Sequence, residues 1–323
     1  MRLPRRIGSP FTLVADTVRW LTHRIRSTAF WNAYLPSAIN TGRHYAELMR
    51  LHRPIGIWLL LWPTLWALWL AGSGRPNERL FVIFVLGVVV TRSAGCVIND
   101  YLDRNIDANV RRTMNRPLAA KRIEPREALL VFFGLSLVAL ALLLSLPHEA
   151  QWLALGAAGM LITYPLFKRF FPAPQLYLGA AFSWSIPMAY AAQSGAVPTI
   201  GWLLFIAGVL WTTAYDTLYA MADREDDIKL GIKSSAILFG DADRGMIGLM
   251  QAMTLLALWF VGRDLDFGVW YWCGLGAAAM FNVYQQWLIR NREVAKCLQA
   301  FANNNYVGMA VFIGIVCEYA FRH

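Results

Sequence analysis

The chain has 323 residues, 57% of them hydrophobic and only 15% charged, against roughly 25% charged in an ordinary soluble domain. Mean hydropathy is +0.42, and the apolar residues come in long runs, which excludes a soluble globular protein and predicts an integral membrane protein. The net charge of +10 does not point to nucleic acid, because the basic residues gather between the apolar runs.

Residues 1–46 form a basic N-terminal extension. Val18, Leu21 and Ile25 recur there at helical spacing with Arg19, Arg24 and Arg26 around them. That pattern predicts a helix lying on an anionic membrane surface. An Arg-rich mitochondrial presequence and a disordered tail are the competing readings.

Residues 47–323 read as one transmembrane bundle, all-α. A spanning helix needs about 20 mostly apolar residues. Nine stretches qualify, near 54–72, 80–98, 127–146, 150–165, 174–192, 201–220, 245–262, 267–289 and 304–321. Gly56, Pro63, Gly134 and Pro187 interrupt these stretches, and in lipid only a helix still satisfies such a backbone. With the N-terminus in the cytoplasm, Arg75, Arg79, Arg263 and Arg322 are the basic residues on the far side. Arg92 lies inside the second stretch, and the other 25 of the 30 Lys and Arg face the cytoplasm. The positive-inside rule therefore predicts N-in and C-out, in a bacterial inner membrane before a mitochondrial one.

Cys96, Cys273, Cys297 and Cys317 are far apart and the five His are scattered. Neither a disulfide framework nor a soft-ligand metal site is indicated, so metal chemistry must use oxygen ligands.

Two cytoplasmic segments supply such ligands. The second helix runs into Asn99, Asp100, Asp103 and Asp107, and the sixth into Asp216, Asp223, Asp226 and Asp227. Residues four apart on a continuing helix share a face, which groups Asn99 with Asp103 and Asp107, and Asp216 with Asp223 and Asp227. The two clusters recur four helices apart, suggesting an internal pseudo-repeat. Stacked like charges destabilise a helix and call for a compensating cation. Hard oxygens favour Mg²⁺ or Ca²⁺, and Mg²⁺ bridges carboxylates to substrate phosphates. One such cluster would read as a solvated loop; two matched copies at helix ends argue for a diphosphate site.

These paired motifs resemble those of the intramembrane aromatic prenyltransferases. So do Arg53 to Gly56, Leu61 to Trp69, Arg92 to Cys96, Asn115 to Leu118, Gly179 to Met188, Gly231 to Ser234 and Asn303 to Gly308. The resemblance covers the chain from about residue 45 onward and leaves out the N-terminal extension. It implies transfer of a polyprenyl group from an all-trans polyprenyl diphosphate to the ring carbon ortho to the hydroxyl of 4-hydroxybenzoate, a membrane-bound step of ubiquinone biosynthesis. Dihydroxynaphthoate, homogentisate and haem are the alternative acceptors within the family.

The resemblance assigns Asp103, Asp107, Asp223 and Asp227 to Mg²⁺ and diphosphate, with Asn99 and Asp100 in support. It assigns Tyr164, Lys168 and Arg169 to the diphosphate. A cluster carboxylate, Asp103 or Asp223, is the expected catalytic base, since a phenol hydrogen-bonded to a carboxylate is a better nucleophile.

Arg92, a cation inside a membrane span, needs an anion, either an Asp or the acceptor's carboxylate. Arg53, at the start of the first helix, is the second candidate for that carboxylate and equally a surface anchor. Trp58, Trp62, Trp66 and Trp69 form a stripe that reads as packing before it reads as an allyl-cation cradle. Asn303, Asn304 and Asn305 read as caps at the start of the last helix. A secondary transporter would place its charges at mid-bilayer, unlike the acids here. An alcohol phosphotransferase would space its acids differently.

Overall fold

The computed structural model describes residues 41–108 and 113–322. The surface helix expected in the basic extension lies outside the described residues. After a helical segment over 41–48 come α1 (Ile55–Ala71), α2 (Glu78–Asp107), α3 (Pro125–Leu144), α4 (His148–Phe170), α5 (Pro174–Ser183) and α6 (Ser185–Ser194). They are followed by α7 (Thr199–Leu230), α8 (Ser235–Phe239), α9 (Asp243–Asp264), α10 (Val269–Leu288) and α11 (Val294–Phe321). Among the described residues there is no strand.

All nine apolar stretches are helical. Among the described residues, five helical stretches are long and apolar enough to cross a membrane: α2, α3, α7, the stretch Ser235–Asp264, and α11; α1 is apolar but shorter. The fifth apolar stretch is broken into α5 and α6 around Trp184. The last helix begins at Val294, ten residues before the stretch expected from 304, so polar Asn303, Asn304 and Asn305 lie within it.

Local chemistry sets the ends. The Asn77 side chain accepts from the Leu80 N–H at 3.1 Å and opens α2. Pro125 occupies the first turn of α3. Gly231, at φ 67°, closes α7 in the left-handed conformation.

The bundle closes on itself: α11 packs against α10, α7 and α1, while α7 also packs against α5 and α9, and α1 against α6 and α2. At the α10–α11 crossing a Cβ on Gly274 would lie 2.7 Å from the Ala310 carbonyl oxygen and 2.8 Å from the Gly314 Cα. Only hydrogens fit there, as at small-residue crossings in membranes.

One large apolar core runs through α1, α2, α6, α7, α9, α10 and α11. Two smaller clusters sit apart from it. Leu48, Val97, Leu118, Ile123 and Ala128 seat the segment after α2. Leu218, Met221, Ala236, Ile247, Leu288, Cys297 and Ala300 seat the segment after α7. Each acidic motif thus stands beside its own apolar footing.

Candidate functional site

Both long helices carry their acids well past their apolar stretches, in the last turns of α2 and α7. On α7, Asp223 and Asp227 are half-buried, while Glu225 and Asp226 are exposed. Asp226 pairs outward with Lys229 at 3.7 Å, which leaves Asp223 and Asp227 as the inward pair. Asp216, two turns earlier on the same stripe, interacts electrostatically with both of them and with Arg92. Its spacing from Asp223 groups it with the second cluster in the sequence, although it sits within the apolar run.

Arg92 joins this group from α2. A Cβ on Gly56 of α1 would lie 2.6 Å from its Nε and 2.7 Å from its Nη2. The Arg92 Cζ is also 5.7 Å from the centre of the Phe182 ring. The guanidinium thus lies against the bare Cα of Gly56 and near an aromatic ring, in electrostatic reach of Asp216 and Tyr215. It can lie there because position 56 has no side chain. Arg53, by contrast, is exposed ahead of α1. Tyr164, Lys168 and Arg169 fall in the last turns of helix α4, and their side chains lie outside the described residues.

The first motif divides in two. Asp100 is buried and accepts from Arg50 Nη2 through both oxygens, at 2.8 Å each. Arg116 Nη1 donates to Asp100 at 3.1 Å and to Asp107 at 2.8 Å. Asn99 and Asp103 are half-buried on the adjoining face. The sequence had grouped Asp107 with Asn99 and Asp103. A four-residue step turns a helix by about 40° beyond a full circle, so two steps carry Asp107 to within about 20° of Asp100. Arg50 and Arg116 were legible only as positive charge, and nothing in their spacing announces a contact.

The tryptophan stripe packs, as its ordinary reading expected. Trp62 Nε1 donates to the Asn305 Oδ1 at 2.9 Å and Trp66 Nε1 to the Gly308 carbonyl at 3.0 Å. Trp58 remains 41% exposed. The three asparagines are not caps: they lie mid-helix in α11. Successive residues point about 100° apart, so each reaches a different neighbour. Asn303 accepts from Gln285, Asn304 from Trp211 and Asn305 from Trp62. An aromatic column continues from Trp66 through Trp211 and Tyr215 to Phe301 and Tyr219, with centroids 5.0–5.9 Å apart. It leads from the core toward the acids.

The donors facing inward are amide and carboxylate oxygens, which fit a hard divalent cation. Among the described residues, no three of His, Cys, Asp and Glu stand close enough to cage a metal by themselves. The acids instead come as two sets from two helices. That suits an ion that keeps waters and completes its shell with phosphate oxygens.

Residues 60–312 match the UbiA prenyltransferase family. A 4-hydroxybenzoate octaprenyltransferase of Aeromonas salmonicida is 56% identical over 279 residues, spanning 86% of this chain and 96% of the relative. Another, of Alcanivorax borkumensis, is 56% identical over 275 residues, 85% of this chain and 95% of the relative. Among solved structures, a UbiA homolog from Aeropyrum pernix K1 superposes with a TM-score of 0.70 at 23% identity, covering 81% of this chain and 97% of that one. A UbiA homolog from Archaeoglobus fulgidus bound to GPP and Mg²⁺ gives 0.62 at 18% identity, covering 83% and 99%. At these identities the two structures establish a shared fold.

Proposed function

Because the chain belongs to the UbiA prenyltransferase family, we propose that it transfers the polyprenyl group of a polyprenyl diphosphate to 4-hydroxybenzoate, on the ring carbon ortho to the hydroxyl. The observation that carries this choice of acceptor is the 56% identity, along nearly the whole relative, to proteins named for that acceptor. The bacterial sources of those relatives favour a bacterial inner membrane, with the acidic helix ends toward the cytoplasm, where the basic loops lie.

In this reading the allylic C–O bond breaks, its electron pair leaves with the diphosphate, and the allyl carbon bonds to the ring. The ring proton then leaves to a carboxylate. Asn99 and Asp103 of α2 and Asp223 and Asp227 of α7 would hold Mg²⁺, which would supply positive charge to stabilise the departing diphosphate. Lys168, Arg169 and Tyr164 serve the diphosphate. Arg92 takes the acceptor's carboxylate. Its guanidinium is planar and always charged, and it lies against Gly56 and near the Phe182 ring, so its donor fork matches a carboxylate. Arg53, exposed ahead of α1, serves better as an anchor at the membrane surface. Asp223 or Asp103 accepts the phenol's hydrogen bond and later the proton. The packed aromatic column beside Asp216 excludes water, which would otherwise capture the cation as an alcohol.

The test is product analysis with purified enzyme in lipid nanodiscs. Octaprenyl diphosphate is supplied with 4-hydroxybenzoate, dihydroxynaphthoate or homogentisate. Prenylated 4-hydroxybenzoate is expected as the dominant product, with Mg²⁺ required and excess EDTA inhibitory. Asp103→Asn, Asp223→Asn and Asp227→Asn should each lower turnover by about 100-fold or more, while Asp264→Asn leaves it unchanged. Preference for another acceptor, or full turnover in EDTA, overturns the reading.

A further inference from the structure

We propose that Arg50 and Arg116 are positioning residues that hold Asp100 and Asp107 away from the metal, leaving Asn99 and Asp103 as the working pair of the first motif. The inference rests on the metal–diphosphate reading above and assigns residues within it.

The argument begins with charge. Three carboxylates at positions 100, 103 and 107 crowd the last two turns of α2, where side chains three and four apart are neighbours and like charges repel. Two of the three are buried, and a buried carboxylate without a partner is costly. Both have one. A single Arg116 nitrogen bridges Asp100 and Asp107 across seven residues, at 3.1 and 2.8 Å. That contact staples the final two turns of α2. Arg50 closes on both oxygens of Asp100 from the segment ahead of α1, at 2.8 Å. Asp100 then has acceptor capacity occupied by two cations, one Arg50 nitrogen reaching both of its oxygens and one Arg116 nitrogen reaching Oδ1, in charge-assisted hydrogen bonds.

The surrounding contacts make the clasp rigid. The Thr113 hydroxyl donates to the Asp107 carbonyl at 3.1 Å, pinning the returning loop to the helix end. Arg122 pairs with Glu47 at 2.9 Å, tying that loop to the segment that carries Arg50. Leu48, Val97, Leu118, Ile123 and Ala128 pack beneath. Three separate parts of the chain therefore fix the rotation of α2 at its acidic end. Asn99 and Asp103, on the adjoining face, take their direction from that rotation. The positioning acts through Asp100 and Asp107, as partners behind metal ligands commonly do.

The second motif has a comparable device. Asp243, fully buried at the start of α9, accepts from Arg292 at 2.9 Å and from Arg224, the neighbour of Asp223. Arg224 also donates to the Ala236 carbonyl at 2.6 Å. In both halves, arginines bind a carboxylate that is not among the inward-facing acids.

The experiment measures Mn²⁺ binding by electron paramagnetic resonance on the full-length protein in nanodiscs, without substrate, alongside thermal unfolding. Asp103→Asn and Asp223→Asn are expected to weaken Mn²⁺ strongly. Asp107→Asn should change it by less than about three-fold, since the amide oxygen still accepts from Arg116. Arg116→Gln should weaken Mn²⁺ by about 10-fold, Arg116→Lys by less, and adding Asp107→Asn to Arg116→Gln should restore part of the loss by removing the unpaired charge. If Asp107→Asn loses as much Mn²⁺ affinity as Asp103→Asn, Asp107 is a ligand and the proposal fails. Wild-type Mn²⁺ affinity in Arg116→Gln overturns it equally. If Arg116→Gln does not fold, the comparison of Asp107→Asn with Asp103→Asn decides. Unchanged Mn²⁺ binding in both Asp103→Asn and Asp223→Asn would instead sink the metal reading on which the proposal stands.

Discussion

Replacing Gly56 with Ala adds one carbon where Arg92 now lies. The new Cβ would stand 2.6 Å from Nε, 2.7 Å from Nη2 and 3.0 Å from Cζ, whereas ordinary contact begins near 3.4 Å. The guanidinium must retreat by about 0.8 Å, and it is the end of a flexible side chain, so it yields before the helix does. Ala is at least as good a helix former as Gly, so thermal stability should hold or rise slightly. Acceptor binding should fall. In the proposed reading, a charge-assisted bond from Arg92 to the acceptor's carboxylate contributes about 1.5–3 kcal/mol, and displacing its donor by most of an ångström forfeits roughly half of that, about 4- to 13-fold in binding. The assay is the KM for 4-hydroxybenzoate and for its neutral amide at saturating polyprenyl diphosphate, in Gly56→Ala and the parent. The acid should lose about 4- to 13-fold, the amide about 2-fold, and the KM for the diphosphate should not move. Equal losses on acid and amide, or an unchanged KM for the acid, would refute the assignment of Arg92.

Asn304→Leu should lower the unfolding temperature, because the buried Trp211 N–H loses its acceptor, at about 1–3 kcal/mol, while the Gln285 side-chain carbonyl keeps its bond from Gln251. An unchanged melting curve by fluorimetry would show that the amide chain contributes nothing. At Glu47, burial alone would raise the carboxyl, but Arg122 and Arg43 outweigh it and hold it below the usual carboxylate value of 4.5. A depressed carboxylate contributes stability that is present above the unfolded value and lost as pH falls through the folded one. Hydrogen-exchange protection over 41–53 should therefore be flat from about pH 6 to 8 and decline below about pH 4.5. Glu47→Gln should remove that decline; a decline of equal size in Glu47→Gln would assign it to another group.

The helical stretches were legible because hydrophobic length is a strong signal in lipid. What the sequence hid was direction. Asp107 looked like a partner of Asp103 because residues four apart share a face, but that rule drifts by about 40° per step, and Arg116 collects it with Asp100. The Asn303–Asn305 run looked like a cap because polar residues end apolar runs, yet its amides pair with Trp and Gln side chains on three other helices. Those partners are up to 243 residues away, and no local pattern foretells them. Arg92 was conspicuous as a lone cation in an apolar run. Its surroundings were not, since Gly56 and Phe182 come from two other helices.

At 30 and 32 residues, α2 and α7 are about 45–48 Å long, against a hydrocarbon thickness of about 30 Å. Their acidic ends therefore reach beyond the oily layer while their middles remain within it. A donor with a long isoprenoid tail and a charged head is confined to the same layered geometry and arrives by lateral diffusion along the sheet of lipid. Its effective supply is then a mole fraction in the membrane, and adding inert lipid at fixed bulk concentration dilutes it. The small aromatic acid comes from water, and its supply is indifferent to that dilution. The two substrates of one reaction are thus metered in different dimensions, one per unit area and the other per unit volume.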